Sequence, residues 1–116
     1  MHTTRTDAQV LKGLLDALVL TVLKRGENYG FGILEDVQKL LDGNDSLLRD
    51  ATLYPLLHRL ESRGFVASHY QPGDRGTARK YYRITPSGKK MLQDRIAEWR
   101  HVTSILQKVV LPREDL

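Results

Sequence analysis

Side chains that can donate hydrogen bonds or carry positive charge gather in two short stretches of this chain. In the first, Thr52, Tyr54, Pro55, His58, Arg59 and Ser62 are interleaved with Leu53, Leu56, Leu57 and Leu60. At 3.6 residues per turn the leucines share one face of a helix and the other groups take the opposite face, so the polar set is offered outward while the apolar set anchors it. The second stretch holds Arg75, Arg79 and Lys80, spread over a segment rich in glycine and other turn formers. This is chemistry for gripping an anionic surface. Covalent or metal chemistry has no comparable support. There is no Ser/His/Asp order at usable spacing, no glycine loop to cradle a phosphate and no cysteine, and His58 has no second histidine three or four residues away. The expectation is a binding protein, not an enzyme, with no metal and no cofactor.

Charge is distributed in the same sense. Residues 1–48 hold five Lys/Arg and seven Asp/Glu, residues 49–100 hold eleven and five, and residues 101–116 hold two and two. The net charge of +4 is therefore concentrated in the middle of the chain, and a clustered basic region is what a nucleic-acid surface requires. A chain of 116 residues with 41% hydrophobic and 28% charged residues has the composition of one ordinary globular domain. The lack of cysteine fits a reducing compartment, and a cytoplasmic location is expected. The apolar run from Leu14 to Leu23 is interrupted by Asp16 and Thr21 and is too short to span a membrane, and no export signal is seen.

The elements that must carry these residues follow from periodicity and punctuation. A first helix is predicted over Val10–Arg25, with so broad an apolar surface that it needs two partners, ending at Gly26 after the basic Lys24 and Arg25. A second helix, capped by Asn28, carries Tyr29, Ile33, Leu34, Val37, Leu40 and Leu41 and stops at the turn formers Asp42-Gly43-Asn44-Asp45. A third is expected over Ala51–Arg63, with Asp50 as its cap and Gly64 closing it, and Pro55 requires that it begin near Ala51 or Thr52. Two strands, Phe65–Tyr70 and Arg79–Ile84, flank a basic tip, and along the second of them Tyr81 and Tyr82 point to opposite faces, one toward core and one toward surface. Thr85-Pro86 then opens a last helix running to about Val110, stopped by Leu111-Pro112. At roughly 25 residues it would be about 37 Å long. Leu92, Ile96, Trp99, Thr103, Leu106 and Val110 step along it by four and three, a seam suited to another helix. Since so long a helix overhangs so small a domain, the seam is expected to meet a second copy of the chain.

Three helices, a basic hairpin and a long helix make a mainly α fold with a small β-hairpin wing, the order of a winged helix-turn-helix with a C-terminal dimerisation helix. Residues 8–84 are read as the DNA-binding domain and 85–111 as the dimerisation helix, packed with the first helix as one structural unit. A helix fits the major groove and a basic hairpin reaches a neighbouring groove or phosphate run. Two motifs carry a more specific resemblance. Ala51-Thr52-Leu53-Tyr54-Pro55-Leu56-Leu57-His58-Arg59-Leu60-Glu61-Ser62-Arg63-Gly64 resembles the third helix of the PadR family of bacterial regulators. Arg79-Lys80-Tyr81-Tyr82-Arg83-Ile84-Thr85-Pro86-Ser87-Gly88 is similar to that family's wing strand and the start of its fourth helix. The Leu14–Leu23 run and Tyr29-Gly30-Phe31-Gly32-Ile33 are similar to its first two helices, with Gly32 a departure where many members carry a larger polar residue. The resemblance implies a homodimeric repressor on a palindromic duplex-DNA operator, released by a small aromatic or drug-like molecule. It carries over Thr52, Tyr54, Pro55, His58 and Arg59 as groove or phosphate contacts and Arg75, Arg79 and Lys80 as wing contacts.

Each assignment has a plainer counterpart. Tyr54 could pack in the core, although it lies off the leucine face, and the wing cations could be no more than a solvated hairpin. Trp99 could contribute only buried area between subunits, or it could stack, with its symmetry mate, on a planar ligand at the dimer centre. Asp16 is an acid in an apolar run. It is read as exposed, or else as facing the same cavity, where it would favour a cationic ligand. The alternative function is a winged-helix module that binds protein instead of specific DNA, which calls for an apolar or acidic third-helix face.

Overall fold

A computed structural model describes residues 5–42 and 50–111, with side chains described for 13–42 and 52–111. The chain runs α1 (Arg5–Lys24), β1 (Asn28–Tyr29), α2 (Gly30–Leu41), α3 (Asp50–Ser62), β2 (Val66–Pro72), β3 (Ala78–Ile84) and α4 (Pro86–Ile105). A single 3-10 turn, Asp74–Gly76, lies between β2 and β3, and α4 continues as a π-helical turn over Leu106–Val110.

The core is built from the apolar positions that periodicity singles out. Leu15, Val19, Leu20, Val22 and Leu23 of α1 meet Ile33, Leu34 and Val37 of α2 and all four leucines of α3. Val66, Tyr82 and Leu92 close the cluster from β2, β3 and α4. The breadth of apolar surface on α1 is explained by its partners: it packs against α2, α4 and β3. Burying one such leucine is worth about 1.5–3 kcal/mol. Tyr82 is thus the core member of the tyrosine pair, while half-buried Tyr81 faces Tyr29, ring centroids 5.6 Å apart, and stacks on His69 at 6.2 Å.

The helix ends explain where the chain turns. Gly26 (φ 156°) and Gly64 (φ 79°) occupy backbone conformations costly to other residues. At the second of these, the Gly64 N–H bonds to the Glu61 carbonyl and the Phe65 N–H to the Leu60 carbonyl, closing α3. The Thr85 hydroxyl caps α4 by accepting from the Gly88 N–H at 3.1 Å, with Pro86 in the first helical position. Thr85 and Ser87 also donate to the Gly64 carbonyl, at 2.6 and 2.8 Å, so the end of α3 and the start of α4 are one hydrogen-bonded junction.

Several boundaries differ from expectation. Asn28 does not cap α2. The cap position is Tyr29, without a side-chain bond. Asn28 instead begins a two-residue strand that pairs Asn28 with Tyr82 and Tyr29 with Tyr81, making the sheet three-stranded in the order β1-β3-β2. Its carboxamide accepts from the Tyr29 N–H and donates to Asp36 at 3.2 Å. That arrangement explains Gly32, since a Cβ there would strike the Asn28 side chain. The strands of the wing are longer than expected, pairing continuously from Val66 with Ile84 to Pro72 with Ala78, so the tip is confined to residues 73–77. α1 begins at Arg5, ahead of the expected Val10, and α3 takes in Asp50, the residue expected to cap it, whereas α2 ends as expected, its cap residue Asp42 in a left-handed conformation. Gly43, Asn44, Asp45, Pro112 and the side chain of the proposed cap Asp50 lie outside the described residues.

Candidate nucleic-acid interface

On α3 the leucines are buried and the outward side chains are Thr52, Tyr54, Pro55, His58 and Ser62, all exposed. Pro55 lies inside the helix and removes the one N–H that would bond to the Ala51 carbonyl. Tyr54, 53% exposed, lies against the first residue of α2, where a Cβ on Gly30 would come within 2.8 Å of the ring. Glycine at position 30 is what allows the two elements to approach.

The wing brings its cations alongside. Arg75 stands exposed at the tip with φ 62° and ψ 26°, a left-handed conformation that costs a residue with a side chain about 1–2 kcal/mol. Arg79 lays its guanidinium over the Tyr29 ring, 4.6 Å from the centroid, and approaches Asp74 at 3.6 Å. Lys80 sits 3.6 Å from Glu61 and 5.5 Å from the Tyr82 centroid. Its pKa is raised, first by the Tyr82 oxygen and then by Glu61, so the ammonium is secure at neutral pH. Burial pushes the Tyr82 phenol up, against the opposing pull of Lys80. The Glu61 carboxylate also accepts from Ser68, tying the end of α3 to the wing.

Between α3, the start of α2 and β3 lies an open groove of about 630 Å³ lined by Tyr29, Gly30, Phe31, Tyr54, Arg79, Lys80 and Tyr82. The structure therefore places Tyr54, Arg79 and Lys80 together. Thr52, Pro55 and His58 share the outward face of α3, and Arg75 stands apart at the tip. Two aromatic members of the groove, Tyr29 and the 54% exposed Phe31, were not among the expected contacts. The alternation Tyr29-Gly30-Phe31-Gly32, with glycines where the side chains of Tyr54 and Asn28 approach, was the available signal.

Arg59 and Asp16 require correction. Asp16 is not exposed. It is 7% accessible, and its carboxylate accepts from Arg59 Nη2 at 2.7 Å. Arg59 thus turns from the outward face of α3 toward α1. Asp16 does not line the shallow groove of about 290 Å³ on α4 formed by Ile96, Trp99, Arg100, Thr103, Ser104 and Gln107. The expected seam divides: Leu92 and Ile96 pack into or against the core, whereas Trp99 (36% exposed), Thr103, Leu106 and Val110 are turned to solvent. Val102, Ile105, Val109 and Leu111 are exposed beside them. Among the described residues no cluster of His, Asp and Glu is placed to hold a metal, and no helix is long and apolar enough to cross a membrane.

A helical core that presents the polar face of α3 beside a basic three-stranded wing defines a winged helix-turn-helix, DNA-binding protein. Residues 19–94 match the model of the Transcriptional regulator PadR-like family, and the chain belongs to that family of transcriptional regulators. An uncharacterised protein from Lysinibacillus sphaericus is 31% identical over 99 residues, 85% of this chain and 90% of that one. A solved transcriptional regulator from Clostridium thermocellum, Cth-833, is 32% identical with a TM-score of 0.74, covering 88% of this chain and 98% of its own. A PadR family transcription regulator from Clostridium difficile R20291 is 30% identical with a TM-score of 0.68, covering 78% and 92%.

Proposed function

We propose that the protein is a homodimeric, cytoplasmic repressor that reads a palindromic operator and is released by a small aromatic or drug-like molecule. In this reading residues 8–84 form the DNA-binding domain and residues 85–111 the dimerisation helix. Thr52, Tyr54, Pro55 and His58 of α3 enter the major groove, and Arg75, Arg79 and Lys80 contact the backbone beside it. The observation that supports it best is the segregation of surfaces. The basic wing and the outward face of α3 lie together, while the exposed apolar side chains from Trp99 to Leu111 sit on the far half of α4. Two subunits joined through that half would present two recognition helices, whose separation must match about 34 Å for successive major grooves. A planar molecule against Trp99 would change the angle between the two α4 arms and so that separation.

The test is a gel-shift titration of the full chain against duplexes selected from a random pool, at two salt concentrations, beside an Arg75→Ala/Arg79→Ala/Lys80→Ala variant. Nanomolar binding that weakens with salt, and a shallower salt dependence in the variant, are expected. Equal affinity for selected and random duplex would reject the reading in favour of a protein-binding module.

A further inference from the structure

Arg59 is set on the DNA-facing helix, yet its guanidinium is directed to a part-buried carboxylate on α1. Its partner Asp16 lies 43 residues earlier, on α1, between the core residues Leu15 and Ala17. One turn before Asp16, the Gly13 carbonyl accepts from Arg95 Nη1 of α4 at 3.4 Å, and a Cβ at Gly13 would lie 3.3 Å from that nitrogen. Arg95 in turn precedes Trp99 by one helical turn. Within four residues α1 is therefore held by α4 and holds α3. We propose that Arg59 is a positioning residue instead of a DNA contact, and that the Arg59–Asp16 pair sets the orientation of α3 from α1. This rests on the DNA-binding reading above.

Physical chemistry favours a directional role. A carboxylate as buried as Asp16 needs a cation and a good hydrogen bond, and an alignment of α3 that took Arg59 away would leave that charge uncompensated. The core leucines of α3 hold the helix down through non-directional contact, and the 2.7 Å charged bond adds a directional restraint. Displacement of α4 near Trp99 would be handed to α1 at Gly13 and to α3 at Asp16.

The experiment compares Arg59→Gln, Asp16→Asn, the two combined, and Arg59→Lys in the full chain, on a duplex selected by the wild type and on random duplex, across a salt series. Amide hydrogen exchange of α3 is measured in parallel. The expected result is a loss on the order of tenfold for the selected duplex in each neutral variant, comparable to a mismatched base pair. The combined variant should be no worse than the worse single one, random-duplex affinity and salt slope should be unchanged, α3 amides should exchange faster, and Arg59→Lys should recover part of the loss. A salt slope shallower by about 0.9 per subunit in Arg59→Gln on both duplexes, with Asp16→Asn binding as tightly as wild type or tighter, would overturn the proposal and make Arg59 a phosphate contact. Should a single variant fail to fold, Asp16→Ala/Arg59→Met removes both charges together. Loss of selectivity with the slope retained supports the proposal, and full selectivity overturns it. If the wild type selects no duplex, the DNA reading fails on its own, and the exchange data decide the tie: unchanged α3 protection in Arg59→Gln and Asp16→Asn overturns it.

Discussion

At the scale of single residues, Arg79 and Lys80 of the wing are each held by an acid and an aromatic ring. Lys80 and Tyr82 give the plainest pH dependence. Both pKa values are raised in the folded state, Lys80 chiefly by Tyr82 and Tyr82 chiefly by burial. A group whose folded pKa exceeds its unfolded value contributes stability that is present below the unfolded pKa and lost as pH rises through the folded one. Stability should accordingly fall in alkaline solution above about pH 10, the ordinary range of tyrosine and lysine. Tyr82→Phe, which keeps the ring and removes the ionisable oxygen, should move the midpoint of an alkaline unfolding titration upward. A second residue-scale consequence concerns Gly30. Alanine there would press on the far end of the Tyr54 ring and displace it within the groove. Gly30→Ala should leave the melting temperature nearly unchanged and reduce affinity for operator DNA on the order of tenfold, comparable to one mismatched base pair. Unchanged DNA affinity would show that the position of Tyr54 does not matter.

At the scale of elements, the junction of α3 and α4 is the most economical piece of construction, because Thr85 serves both helices with one hydroxyl. Thr85→Ala should cost about 1 kcal/mol for the lost cap, read as a lower denaturation midpoint, and Thr85→Ser should recover most of it. That cap was legible in the sequence, as were the buried and exposed faces of α3, because both depend on residues within a turn or two of one another. Leucine spacing alone separates Leu53, Leu56, Leu57 and Leu60 from Thr52, Tyr54, Pro55 and His58. What was not legible depends on contacts that spacing along a single helix does not register. β1 is two residues long, too short for alternation to register, and exists only because β3 offers it an edge. Asn28 reads locally as a cap, but Asp36 and the Tyr29 amide compete for its carboxamide and win. Arg59 belongs by helical spacing to the outward face, and nothing near it in sequence announces Asp16. Each error lets a single-element rule stand where a contact between elements decides.

At the scale of the whole molecule, the chain measures 61 Å along its longest axis against 32 and 27 Å across. It carries exposed apolar side chains along the far half of α4, and a contiguous exposed apolar surface of this kind is characteristic of an interaction face. Leu106→Glu, placed within it and away from the core, should convert a dimer into a monomer in sedimentation velocity while leaving the thermal transition of the domain in place. It should also weaken operator binding, since the two DNA-binding domains would no longer be tethered to each other. A monomeric wild type at micromolar concentration would reject the dimer.

The π-helical turn at the end of α4 has a consequence of another kind. There the Leu111 N–H reaches back five residues to the Leu106 carbonyl at 2.7 Å, so the ladder accommodates one residue more than an α-helical turn would. An extra residue shifts the phase of everything beyond it. Stripe positions counted at α-helical spacing from Leu92 through Trp99 and Thr103 therefore slip out of line after Leu106, and Val110 turns away from the row it was counted with. The surplus residue is absorbed by the turn: deleting Gln107 should restore regular winding while leaving the side chains beyond it facing as they do now. The chain thus holds, in a single residue, an adjustment of how far along α4 one stripe can run.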